Sequence, residues 1–207
     1  MLLSELLIGT TRFNDLRRGL PRMSPALLSK RLKDLEQAGI VLRRPVADGA
    51  DLYDYSLTAA GRAIEPIIDA MGDWGHRWIT TQATLDHLDV QLLMWNMRRK
   101  INPNPLPPRL STIQFIYRDL PAGTRNWWLL VQPDKEVDLC SVEPGYNVDL
   151  YVTTDLRTMT EVWMGYSTIQ AAMEDGRLVV VGNRELANTF QAWLGSSRFA
   201  HLEKCVA

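Results

Sequence analysis

The sequence predicts an α+β chain in two parts: short amphipathic helices and a hairpin in front, then a mainly antiparallel sheet with helices gathered on one face. Three observations predict it. Leucines recur at helical spacing between residues 13 and 35, and β-branched or aromatic runs fill residues 40–57 and 110–154. From residue 156 the chain reads helix, helix, strand, helix. With 207 residues, 46% of them apolar, it suits one large domain or two small ones. A division near residue 82 is expected, giving parts 1–82 and 83–207.

Front to back, the elements have local reasons. "TTRFNDLRRGL" offers Thr11 as N-cap, Phe13 and Leu16 one turn apart and Gly19 as a stop, a helix of about two turns. "LPRM" makes a turn. In "MSPALLSKRLKDLEQAGI", Ser24 is the N-cap and Pro25 takes the first helical position, where its missing N–H costs nothing. Leu28, Leu32 and Leu35 form the buried stripe and Gly39 closes the helix. At 100° per residue, Ala26, Lys30 and Lys33 lie opposite that stripe, with Ser29 on the flank. Arg31 lies nearer the apolar side, so a phosphate contact and a structural salt bridge both stay open for it. "IVLRRPV", the turn "ADGAD" and "LYDYSLT" read as a hairpin.

Charge is uneven along the chain. Residues 1–50 carry nine basic and five acidic side chains, a local +4 in a chain of formal net charge -1. A basic front on a slightly acidic body is the footprint of a nucleic-acid contact confined to one region. Two short helices joined by a tight turn, the second presenting small and basic residues, fit a helix into the major groove of double-stranded DNA. The hairpin is then a wing, with Arg43 and Arg44 reaching phosphates. The candidate DNA-binding residues are therefore Arg12, Ser24, Ala26, Ser29, Lys30, Arg31, Lys33, Arg43 and Arg44.

Three stretches carry a resemblance: Arg12-Phe13-x-x-Leu16, Ser24-x-x-Leu27-Leu28-Ser29-x-Arg31-Leu32, and Tyr55-Ser56-Leu57-Thr58-x-x-Gly61. With "WGHRW" behind them, residues 1–80 resemble the HxlR family of bacterial winged helix-turn-helix transcription regulators. The resemblance implies a homodimer on a partly palindromic operator. Family members usually begin with a further segment leading into the first helix, whereas here the sequence starts inside that helix, at Met1 to Leu7.

Thr58 should cap one long helix through "AAGRAIEPIIDAMGDWGHRWITT", kinked at Pro66, with Ile64, Ile67, Ile68, Met71, Trp74 and Trp78 at helical spacing. Its apolar excess needs a cover, either a second copy or the downstream domain. Leu85, Leu88, Leu92 and Trp95 form a further stripe before "NPNPLPP" interrupts regular structure. Four strand-like runs with hairpin-length connections follow, then the helices, the strand "RLVVVG" and the closing helix "NRELANTFQAWLG". This order and the Gly176-x-Leu178-x-x-x-Gly182 strand resemble the sterol-carrier-protein type of lipid-binding domain over residues 85–207. The resemblance implies a tunnel for an apolar or lipid-like ligand, with Trp127, Trp128, Trp163 and Trp193 as candidate lining, although ordinary core is the simpler place for each.

Catalysis is not expected. His76, His87 and His201 stand apart, and no His-x-x-x-His pair, Gly-x-Ser-x-Gly elbow or phosphate-binding glycine loop occurs. Glu174 and Asp175 are neighbours that a helix turns apart. Cys140 and Cys205 are the only cysteines and are widely separated, which suggests neither a disulfide framework nor a thiolate metal site. No metal or cofactor is expected. Without a signal peptide or a long apolar run, a cytoplasmic protein with no membrane contact is expected.

Overall fold

A computed structural model describes residues 1–46 and 52–206. The turn expected at residues 47–51 lies outside the described residues. The chain divides into two compact units, Met1–Gly75 and His76–Ala207. No helix among the described residues is long and apolar enough to cross a membrane.

The first unit runs α1 (Leu2–Leu7), α2 (Phe13–Gly19), α3 (Pro25–Gln37), β1 (Val41–Pro45), β2 (Tyr53–Leu57) and α4 (Ala59–Arg62), and holds most of α5 (Glu65–Trp78). Its core is small: Leu2, Leu6, Leu16, Leu20, Leu28, Leu32, Val41 and Leu57, one or two from each element through β2. Burying each such leucine stabilises the fold by about 1.5–3 kcal/mol, so this one cluster holds three helices and the hairpin together.

Two local readings change. Thr11 does not cap α2; Arg12 occupies the cap position without a side-chain bond. The Thr11 carbonyl is used elsewhere, accepting from the Tyr55 N–H at 2.9 Å, and an isolated bridge joins Arg12 to Asp54. The chain therefore stays extended one residue further, adding a short third edge to the hairpin. The single helix expected after Thr58 is instead two, α4 and α5, broken at Ala63 and Ile64. Pro66 falls at the second position of α5, where its missing N–H leaves no acceptor unpaired. A kink is unnecessary because the helix restarts.

The Tyr-Ser-Leu-Thr-x-x-Gly run has a physical basis. Leu57 is buried in the core. The Thr58 hydroxyl donates to the Gly39 carbonyl at 2.8 Å and accepts from the Gly61 N–H at 3.0 Å, so one side chain caps α4 and ties it to the end of α3. Gly61 lies against the same loop: a Cβ there would stand 2.3 Å from the Ile40 carbonyl oxygen.

The second unit begins with α6 (Thr81–Leu85) and α7 (Val90–Arg98). The continuous stripe expected from Leu85 to Trp95 is thus interrupted at residues 86–89, where Asp89 caps α7 by accepting from the Leu92 N–H at 3.0 Å. The helix buries Trp95 as expected, together with Leu93, Met94 and Met97 rather than Leu92. An irregular proline-rich stretch leads to β3 (Ser111–Tyr117), α8 (Ala122–Arg125), β4 (Asn126–Val131), β5 (Asp138–Cys140) and β6 (Leu150–Thr154). Then come α9 (Leu156–Met164), α10 (Ile169–Glu174), β7 (Val179–Gly182), α11 (Arg184–Asn188) and α12 (Phe190–Leu194). The closing helix is split at Thr189, whose hydroxyl donates to the Glu185 carbonyl at 2.8 Å.

The sheet order is β5-β4-β3-β6-β7. Three of its four pairings are antiparallel, as the sequence predicts, and β3 with β6 is parallel. The segment after β5 therefore does not turn back as another hairpin but crosses to the far side of β3. Strand alternation sends Ile113, Phe115, Tyr117, Leu129, Leu150 and Val152 to one face, where they form one core with Met94 and Met97 of α7, Met159 of α9 and Phe190 and Trp193 of α12.

Gly61→Ala is expected to destabilise the first unit by about 2–3 kcal/mol, since backbone must shift to admit the methyl. Thr58→Ala, which removes a cap and a tether, should cost about 1 kcal/mol. Denaturant titration of both variants checks the order; equal losses would mean that the loop yields easily around Gly61.

Candidate nucleic-acid interface

The site is built on α3. Ser24 accepts from the Leu27 N–H at 3.3 Å, Pro25 sets the first turn, and Leu28 and Leu32 are fully buried. That burial fixes the roll of the helix, so Ala26, Ser29, Lys30 and Lys33 all face solvent, as does Ser24. At the other end Gly39 takes a φ of +70°, its N–H donates to the Glu36 carbonyl and the Ile40 N–H to the Leu35 carbonyl. This paired closure turns the chain sharply into β1. Arg31 is exposed, with Nη1 3.8 Å from Asp34 Oδ2, a loose ion pair that leaves the guanidinium's other donors outward.

The hairpin pairs β1 and β2 in a fixed register, Arg43 opposite Tyr55 and Arg44 opposite Asp54. Successive strand residues point to opposite faces. Arg43 shares a side with Tyr53 and Tyr55, and its guanidinium lies 3.5 Å from the centre of the Tyr53 ring. Arg44 points the other way. Both are exposed, so the hairpin carries a cation on each face rather than two on one.

Arg12 is placed differently from the rest. Its Nε lies 3.0 Å from Asp54 Oδ1, and the two residues also share the isolated bridge. The guanidinium thus ties the start of α2 to β2. Each partner's side chain is more than a third exposed, so the pair contributes roughly 0.2–1 kcal/mol, and its importance is geometric.

Between α2, α3 and β2 lies a groove of about 590 Å³, whose walls include Arg12, Asn14, Arg18, Ser29, Tyr53 and Tyr55. Arg18 pairs with Asp15 at 3.0 Å along α2. Of these wall residues, the sequence singled out only Arg12 and Ser29. Arg18 was visible in the basic count, but Asn14, Tyr53 and Tyr55 join the site solely because the hairpin folds back beside α2, a tertiary event with no local signature.

Trp127, Trp128, Trp163 and Trp193, the candidate ligand-binding residues of the second unit, do not line this groove. Trp127, Trp163 and Trp193 belong to the core; Trp127 Nε1 donates to the Thr124 carbonyl at 2.8 Å and Trp193 Nε1 to the Leu186 carbonyl at 2.9 Å. Trp128 is buried as well, but strand alternation puts it on the opposite face, and its Nε1 has no partner among the described residues. A cavity of about 460 Å³ in this unit is lined by other residues, including Arg98, Leu130, Gln132, Val137 and Tyr146. The Tyr117 hydroxyl, which donates to Met94 Sδ, is held protonated well above its ordinary range, chiefly by burial and then by the charge of Asp119.

Comparison with known proteins bears on the front of the chain. The family model of the HxlR-like helix-turn-helix matches residues 1–83. The uncharacterized HTH-type transcriptional regulator YvaP of Bacillus subtilis is 37% identical over 79 residues, which are 38% of this chain and 73% of that protein. A second regulator of that organism, YdeP, is 36% identical over 78 residues, and the chain spans 61% of its length. The solved structure of the redox regulator HypR in its reduced form is 37% identical, with 36% of this chain and 74% of that one covered and a TM-score of 0.35. Residues 84–207 lie outside the family match. Through its first 83 residues, with their capped α3 and paired hairpin, the chain belongs to the HxlR-like helix-turn-helix family.

Proposed function

We propose that this protein is a DNA-binding transcription regulator that acts as a homodimer on a partly palindromic operator. The observation that carries the reading is the outward face of α3. Small and basic side chains, Ala26, Ser29, Lys30 and Lys33, are presented by a helix whose roll two buried leucines fix, beside a hairpin bearing Arg43 and Arg44. In this reading α3 enters the major groove and the arginines of the hairpin neutralise phosphates on either side of it. Ser24 anchors the start of α3 near the backbone. Arg31 supplies a further phosphate contact from the donors that Asp34 leaves unused. Arg12 positions the hairpin through Asp54 while forming one wall of the groove.

The dimer is supported by α5. Ile67, Met71 and Trp74 are each 60–68% exposed, an apolar row that in water favours a second copy. For the rest of the chain, residues 83–207, we propose a sterol-carrier-like domain that senses an apolar or lipid-like ligand held between sheet and helices, near Trp127, Trp163 and Trp193. Trp128, with its unpartnered indole N–H, would belong to the ligand's surroundings only if the ligand reached the other face of the sheet. The competing reading is a lipid-binding or protein-interaction protein whose winged helix no longer binds DNA, since fold alone does not fix function.

Selection of bound duplexes from a random pool at near-physiological salt tests the main reading. Two-fold symmetric half-sites about one helical turn apart are expected; no enrichment would favour the competing reading. Native mass spectrometry of the purified protein checks for a retained apolar ligand.

Two substitutions separate contact from support. Arg43→Ala with Arg44→Ala should weaken binding to every sequence and lower the salt slope by about one for each lost contact; an unchanged slope removes the pair from the interface. Asp54→Ala discriminates the role of Arg12. If Arg12 acts as a tether, operator affinity falls about as much as with Arg12→Ala, and the double variant is no worse. Tighter binding by Asp54→Ala would instead mean that Arg12 itself grips phosphate.

A further inference from the structure

The final residues of the second unit fold back as a strap over the carboxyl end of α5. The Ser197 N–H donates to the Trp163 carbonyl at 2.8 Å, the Cys205 N–H to the Arg77 carbonyl at 2.9 Å, and the Lys204 ammonium to the Ile79 carbonyl. Arg77 and Ile79 stand where a helix has no donors of its own for its carbonyls, so the strap supplies them.

One ring sits inside this joint. His76 is only 5% exposed, and its Nε2 lies 3.1 Å from the Leu202 carbonyl. A carbonyl only accepts, so Nε2 carries the proton and Nδ1 is a lone pair. Among the described residues Nδ1 is buried without a hydrogen-bond partner, as is the hydroxyl of Tyr166, whose ring centre is 5.4 Å away; the Phe199 ring follows at 6.3 Å. We infer that the strap is a proton-sensitive latch, closed while His76 is neutral and released when the ring becomes charged.

Protonation would put an N–H on Nδ1, which has no acceptor within hydrogen-bond reach among the described residues. The charged groups facing the ring make this worse. Arg77 lies on its own helix and His201 and Lys204 on the strap, while from the segment after α9 comes Tyr166, whose ring the Lys204 ammonium covers at 4.7 Å. No carboxylate of the described residues is among the groups that act on it. Burial first, and then these cations, hold the ring below its ordinary value of 6.5, against the opposing pull of the Leu202 carbonyl. The closed strap therefore disfavours the proton. Its stability is fully present above pH 6.5 and declines as the pH falls below that, by at most tenfold in the closed-to-open ratio per pH unit, until the lowered pKa is passed. Release would leave the Arg77 and Ile79 carbonyls without donors, so the last turn of α5 would fray.

The test is an NMR titration of the full chain with amide exchange measured at Ser197 and Cys205. In the wild type, the His76 ring should titrate below 6.5, and protection at both amides, corrected for intrinsic rates, should fall between pH 7.5 and pH 5.5. His76→Gln keeps a donor for the Leu202 carbonyl but cannot titrate, so its protection should not vary with pH over that range. His201→Gln should behave as the wild type. Constant protection in the wild type, or His76 titrating at or above 6.5, overturns the latch; so does a pH dependence that survives in His76→Gln and disappears in His201→Gln. Should His76→Gln fail to fold, the wild-type ring titration and His201→Gln decide the matter.

Discussion

Burial of Leu28 and Leu32 fixes the roll of α3, and the first unit is organised around that constraint. Both side chains enter a core that also takes Leu16 from α2, Val41 from β1 and Leu57 from β2. A helix held by one stripe has no freedom to choose which residues it shows to solvent. The polar face of α3 is thus a consequence of packing on its other side, and the hairpin reaches its place because Val41 and Leu57 share the same pocket of leucines.

Around that core, short polar ties remove the remaining freedom. Thr58 joins the loop after α3 to α4, the paired closure at Gly39 aims the chain into β1, and the Arg12–Asp54 pair joins α2 to β2. None of these contacts is strong by itself; an exposed ion pair or a single cap is worth about 1 kcal/mol. Their value is that together they hold α2, the end of α3, the hairpin and α4 in one fixed arrangement. The stacking of Arg43 on Tyr53 acts in the same sense.

The second unit solves a different problem. Its sheet buries one face against five helices and places β3 at the centre, flanked by an antiparallel and a parallel neighbour. Three of its tryptophans fill that layer, and two of them also have their indole N–H groups satisfied by nearby carbonyls. Polar atoms left without partners among the described residues include Ser111 Oγ at the start of β3, the Trp128 indole on the other face, and His76 and Tyr166 beneath the strap. Buried groups of this kind are costly to leave unpaired.

Much of this was written in local sequence. Ser24, Pro25 and Gly39 bound α3, the leucine spacing set its buried side, and β-branched and aromatic runs between residues 110 and 154 marked the strands, because caps, period and residue preference act over a few residues. Thr11 misled as a cap since its carbonyl is claimed by Tyr55, more than forty positions away. The same kind of distance hid the parallel pairing of β3 with β6, the tether from Arg12 to Asp54, the groove shared with Tyr53 and Tyr55, and the strap on His76. The sequence by itself determined where most helices and strands lie, though not every break within them, and which helix face is basic. Only the tertiary structure decided which charges are tethered, which aromatic rings are core and which histidine is enclosed, because those depend on contacts between residues that chain order does not bring together.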